Sequence, residues 1–183
     1  MAMKNNSLLR GKTALVTGAS SGLGAEFARQ LAAMGCHLIL VARREARLQA
    51  LRQELIARQP INVRVFPADL AEPDSPQTLY AAIKAAGLSV DILVNNAGYG
   101  IYGEHATIPW PQERQMLMLD ILAVMQLTKL ALPICCSVIA ATSCKSALLA
   151  PINPRRPMPP TVLSKPWCCI SAKRSITSYG IPA

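Results

Sequence analysis

The chain has 183 residues, 51% of them apolar, enough for one buried core and one globular unit. No apolar run approaches the roughly 18 to 20 residues of a membrane span, and the polar segment Met1–Arg10 lacks the apolar stretch of a secretory signal; the cytoplasm is the expected compartment, with no membrane partner. The formal charge of +9 is unevenly spread: residues 1–133 carry 13 basic and 10 acidic side chains, residues 134–183 six basic and no acidic ones, and a dispersed basic tail does not read as a nucleic-acid surface.

The first element is a short run, Lys12–Thr17, whose apolar segment Ala14-Leu15-Val16 suits a strand buried on both faces of a parallel sheet. Gly18-Ala19-Ser20-Ser21-Gly22-Leu23-Gly24 then turns the chain, and Ala25–Met34 continues as a helix with Phe27, Leu31 and Met34 on one face. Strand, glycine loop and helix in this order form a phosphate cradle. The turn needs unusual backbone angles, the pyrophosphate must approach bare backbone, and the helix must pack close to the strand. The helix N-terminus adds free amides and the positive end of a dipole.

A second strand, His37–Val41, runs into Ala42-Arg43-Arg44-Glu45. In sites that select NAD(H), an acidic residue here accepts the ribose 2′-hydroxyl, whereas a 2′-phosphate requires positive charge. Arginines stand where the acid would be, so NADP(H) is expected over NAD(H), with Arg43 as the phosphate partner and Arg44 as its alternate. Glu45–Arg58 reads as a helix with Leu48, Leu51 and Leu55 on one side, Val63–Phe66 as a third strand leading to Ala68-Asp69-Leu70, Gln77–Ala86 as a helix, and Val90–Val94 as a fourth strand before Asn95-Asn96-Ala97-Gly98. This β-α-β-α-β-α-β order predicts an α/β fold, a Rossmann-type doubly wound parallel sheet truncated after about four to five strands.

Thr17-Gly18-Ala19-Ser20-Ser21-Gly22-Leu23-Gly24 matches TGxxxGxG, and Asn95–Gly98 matches NNAG; with both at the right separation, the chain resembles the classical short-chain dehydrogenases/reductases over residues 10–133. The resemblance implies that Gly18, Ser20, Ser21, Gly22, Leu23 and Gly24 contact the cofactor, that Asp69 and Leu70 border its adenine, and that Asn96, Ala97 and Gly98 line it near the ribose. It also implies hydride transfer between the nicotinamide and a small carbonyl or alcohol substrate, with a serine and the tyrosine and lysine of YxxxK at the reacting centre. A fourth family residue, an asparagine on the helix after NNAG, corresponds to Asp120. Relatives commonly form homo-oligomers through that helix, here Gln112–Leu130, and through the one bearing YxxxK.

The reacting centre is missing from the chain as written. Tyr80-Ala81-Ala82-Ile83-Lys84 fits YxxxK literally but precedes NNAG, so Tyr80 is expected to pack and Lys84 to be solvated. Downstream, Thr161–Lys165 reads Thr-Val-Leu-Ser-Lys. Composition shifts near Pro133: eight of the 14 prolines and five of the six cysteines lie from there onward. Cys135, Cys136, Cys144, Cys168 and Cys169 lack metal-ligand spacing, so no metal site is expected, and no disulfide framework either. Residues 134–183 are therefore expected to be an anomalous, poorly ordered tail outside the dinucleotide-binding half of residues 1–133. The loss should leave the Val90–Val94 strand without its next neighbour.

The genetic code offers a reason. If the frame slipped by one base near Pro133, the codons across Lys145–Asn153 can spell Val-Gly-Ser-Thr-Gly-Ala-Tyr-Gln and those across Pro160–Lys165 can spell Tyr-Gly-Ala-x-Lys, with the serine 13 codons before the tyrosine. Trp167 has one codon, which forces Val in the shifted frame, and either codon of Cys168 then gives Leu. Sequencing the gene through residues 125–183 is expected to show one extra or missing base whose correction restores Ser, Tyr and Lys; an unbroken frame unable to spell them would make the tail genuine.

Overall fold

A computed structural model describes residues 9–103 and 105–131 and the backbone strand 137–140; the Thr161–Lys165 segment and the tail cysteines lie outside the described residues. The elements are β1 (Thr13–Thr17), α1 (Gly22–Ala33), β2 (His37–Ala42), α2 (Glu45–Arg58), β3 (Val63–Pro67), α3 (Ser75–Ala85) and β4 (Ile92–Asn95). A 3-10 turn at His105–Thr107 leads to α4 (Trp110–Leu117), a π-helical segment (Met118–Ala123), α5 (Val124–Ala131) and β5 (Ser137–Ala140). These form one five-stranded parallel sheet in the order β3-β2-β1-β4-β5.

Alternation along the strands divides the core into two layers. Ala14, Val16, Leu38 and Leu40 face α1 and α2 and pack on Ala28, Leu31, Leu48 and Leu51. Leu15, Ile39, Val41 and Leu93 face the other way, onto Leu79 and Ile83 of α3 and Leu127 of α5. Helices thus cover both faces, which is why the central strands are apolar throughout rather than alternating. Tyr80, the tyrosine of the misplaced YxxxK, is buried in this second layer; Lys84 is exposed, with its ammonium 5.9 Å from the Tyr80 ring centroid.

Two features differ from expectation. β4 has a neighbour: Ser137–Ala140 pairs with Ile92–Asn95 in parallel over four positions, a short segment containing β-branched Val138 and Ile139 that lies past the compositional shift. The helix read as Gln112–Leu130 is interrupted by the π turn, which changes the facing of the residues that follow it.

β1 is the switch point. The chain steps outward from it through β2 to β3, then returns to place β4 on its other side. At the C-terminal ends of β1 and β4 the connections diverge and leave a crevice, where open α/β sheets bind ligands. The strands carry the fold's stability: Ile39→Ala, at a fully buried site, is expected to cost about 2–5 kcal/mol in urea unfolding, whereas Ile56→Ala, at a site 38% exposed, should remain within about 1 kcal/mol.

Candidate dinucleotide site

The crevice is a groove of about 360 Å³ running over the C-terminal ends of the strands. One wall is the glycine loop, through Gly18, Ser20, Ser21 and Leu23; the mouth is formed by Arg43 and Arg44; the far side is built from Ala68-Asp69-Leu70, Asn96-Ala97-Gly98, Tyr99 and Leu119.

Thr17 organises the floor. Its buried hydroxyl donates to the Val94 carbonyl at 3.3 Å and accepts from the amides of Asn96 and Ala97, each at 3.0 Å. The Asn96 side-chain amide reaches back to the carbonyls of Thr17 at 3.1 Å and Gly18 at 3.5 Å. TGxxxGxG and NNAG, far apart in sequence, are therefore one hydrogen-bonded unit.

That contact leaves no room for side chains. Gly18 has φ +68°, and a Cβ there would sit 2.9 Å from both the Ala97 Cα and the Asn96 Nδ2. At Gly24 a Cβ would collide with the Gly18 carbonyl and lie 2.5 Å from the Asn96 Nδ2. Gly22 differs: it takes φ +57° at the start of α1, and the space beside it is open. Gly22 and Gly24 thus shape the loop, while Gly18, Ser20, Ser21 and Leu23 line the groove.

Charge at the mouth is paired in an order the sequence does not reveal. Arg43 turns to Asp69 at 3.7 Å, an exposed pair worth little in water. Arg44 Nη2 instead donates to Ser21 Oγ at 2.9 Å and Ser20 Oγ at 3.1 Å. Ser21 is the residue before α1, yet its side chain caps no helix amide; α1 begins with its first-turn amides lacking a side-chain cap and with no acidic residue among them. A guanidinium, two hydroxyls and a helix N-terminus converge at one end of the groove, a set that suits phosphate.

At the other end, Asp69 accepts the Ala71 amide at 3.0 Å, which holds the 68–70 turn. Asp120 lies buried in the π turn and accepts the Tyr99 amide at 3.1 Å. Asn95, at the end of β4, donates to Thr128 Oγ1 of α5 at 3.1 Å. The loop after β4 is thus tied to the long helix twice. Burial pushes the Tyr99 phenol above its ordinary range; the Asp120 carboxylate adds to this and Arg43 opposes it. Tyr99 and Leu119 were not legible as site residues, because neither falls in a motif and Leu119 reaches the groove through the π turn. Among the described residues, no group of three or more His, Cys, Asp or Glu side chains could hold a metal, and no helix is long and apolar enough to cross a membrane.

If Thr17 is the floor's keystone, Thr17→Val should cost about 1–3 kcal/mol in urea unfolding, because it strands two partly buried amides, and Thr17→Ser should recover most of it. A Thr17→Val variant as stable as the original would remove the hydroxyl from this role.

Comparison with known proteins agrees with this architecture. The family model for short chain dehydrogenase matches residues 12–145. The chain is 34% identical over 135 residues to a dehydrogenase/reductase SDR family protein 7-like of Drosophila melanogaster, covering 72% of this chain and 41% of that protein. It is 36% identical over 128 residues to a very-long-chain 3-oxoacyl-CoA reductase of Aspergillus clavatus, covering 68% and 36%. Among solved structures it superposes on L-sorbose reductase from Gluconobacter frateurii, crystallised with NADPH and L-sorbose, with TM-score 0.64 and 30% identity over 68% of this chain and 47% of that one. A 3-oxoacyl (acyl-carrier-protein) reductase from Agrobacterium tumefaciens with NADP bound gives TM-score 0.68 and 28% identity over 76% and 56%. The chain spans well under half the length of these two curated relatives. That match spans the glycine loop, the NNAG turn and the parallel sheet, and the chain belongs to the short-chain dehydrogenase family of oxidoreductases.

Proposed function

We propose that this chain is the dinucleotide-binding part of an NADP(H)-preferring short-chain dehydrogenase/reductase, and that as written it does not transfer hydride. The observation that carries the reading is Arg44 bridging Ser20 and Ser21 beside the uncapped start of α1. No carboxylate stands at the end of β2 to repel a 2′-phosphate; Ala42, Arg43 and Arg44 occupy that corner. The NADPH and NADP held by the sorbose reductase and the Agrobacterium reductase support the same choice.

The groove fits such a cofactor. Gly18 lines it without a side chain and the space beside Gly22 is open at the start of α1, the helix amides meet the pyrophosphate, and the apolar side receives the base whose ribose carries the 2′-phosphate. When bound in an intact enzyme, the nicotinamide would give or take the hydride. This chain's own residues bind and orient the dinucleotide: Arg44, Ser20 and Ser21 at the phosphate, Asp69 and Leu70 at the base, Asn96-Ala97-Gly98 along the ribose. We assign the phosphate to Arg44, which already stands on Ser20 and Ser21, with Arg43, paired with Asp69, as its alternate.

No Ser, Tyr and Lys set stands at the family's positions in the present frame, and a missing general acid alone costs about a hundred- to ten-thousandfold in rate. A small carbonyl or alcohol substrate, and homo-oligomer formation through the 110–131 helix, belong to an intact enzyme in which that set is restored. The cytoplasm remains the proposed compartment. Two outcomes divide the remaining possibilities: a chain that binds dinucleotide without turnover, and a fragment that does neither.

A fluorescence titration with NADPH is expected to saturate for this chain and to go flat for Gly22→Asp, which places a carboxylate in the open space at the start of α1; a flat titration of the unaltered chain would leave only the fragment. Arg44→Ala is expected to weaken NADPH by about ten- to a hundredfold and to leave NADH unchanged, whereas Arg43→Ala, which gives up an exposed ion pair, should cost less than about fivefold. The reverse ranking would return the phosphate to Arg43.

A further inference from the structure

The far end of the groove has a chemistry of its own. Ala68, Leu70, Ala97 and Leu119 belong to one hydrophobic cluster and together line the groove, so its floor there is apolar. Tyr99 stands at the edge of this floor, half-buried. It lines the groove together with Arg43, Asp69 and Leu119. Its backbone is held by Asp120, and Asp120 and Leu119 are neighbours in the π turn. That turn therefore does two things at once: it lays Leu119 on the floor and fixes the amide of the residue that carries the ring.

An apolar floor with an aromatic ring beside it fits a flat, π-faced group. We propose that Tyr99 is the stacking wall for the base of the adenosine half of the dinucleotide, and that Asp120 is a positioning residue that holds Tyr99 there. The proposal rests on the groove being a dinucleotide site. A ring presented from a tethered loop loses little freedom on binding, and stacking on it does not depend on which edge the base shows. The phenolic hydroxyl is not needed, so phenylalanine should serve as well. Asp120 accepts the Tyr99 amide through Oδ1, and asparagine would supply the same oxygen.

Adenosine 2′,5′-bisphosphate, which carries the base and the 2′-phosphate without the nicotinamide, is the probe, measured by displacement of NADPH fluorescence from the full chain. Tyr99→Ala is expected to weaken it by about tenfold, Tyr99→Phe to restore binding, and Tyr99→Leu, which keeps apolar bulk without a ring face, to resemble Ala. Asp120→Ala should weaken the probe in the same direction, and Asp120→Asn should recover it. Ribose 2,5-bisphosphate, which lacks the base, should bind the original chain and Tyr99→Ala alike. If Tyr99→Ala does not fold, the Leu and Phe variants decide. Equal binding of the adenosine probe by Leu, Phe and the original chain, with Gly22→Asp still abolishing it, overturns the Tyr99 assignment and leaves the dinucleotide reading standing. No saturable binding by the original chain overturns both.

Discussion

The hydroxyl of Thr17 is the contact on which the rest of this structure depends. It is one side chain at the end of the central strand, yet it accepts two amides from the turn after β4 and donates to the strand beside it. Asn96 completes the link in the other direction, onto Thr17 and Gly18. The two halves of the sheet are drawn together at the switch point, and the glycines are forced by that closeness. Gly18 and Gly24 are small because Asn96 and Ala97 are already there, not only because a phosphate is expected. A buried network of this kind specifies one arrangement because leaving any member unpaired is costly.

Above this floor the groove is divided by chemistry. At one end, a serine that could cap α1 accepts from Arg44 with its hydroxyl oxygen instead, and the positive terminus of the helix lacks a side-chain cap. At the other, apolar side chains from the strand ends and the π turn make a floor with an aromatic edge. Asp69 links the ends, since it holds its own turn through Ala71 and draws Arg43 aside. Two adjacent arginines thereby acquire different duties although their residue types are identical.

The central fold was legible because its signals are local and strong. Apolar triplets marked β1 and β2, glycine spacing marked the loop, and Leu48, Leu51 and Leu55 marked α2 to its last residue. What could not be read depended on distance in sequence. Which arginine meets the serines is set by where Asp69 lies, about twenty-five residues on, and no periodicity encodes it. The π turn is one residue of slack inside an otherwise helical pattern, yet it decides that Leu119 reaches the groove and Asp120 reaches Tyr99. β5 was missed because four residues among prolines and cysteines carry too little pattern; its partner β4 supplies the order. Asp120 was singled out by family position alone, and what the geometry displays is its contact with the loop amide.

As proposed, this groove binds a dinucleotide and discriminates by its 2′-phosphate. Calorimetric titration of the unaltered chain with NADPH and NADH, side by side at one ionic strength, tests that claim most directly. Saturable binding of NADPH with clearly weaker binding of NADH is the expected result. Equal affinity for the two would contradict the assignment of Arg44, Ser20 and Ser21 to a 2′-phosphate, and binding of neither would contradict the dinucleotide site itself.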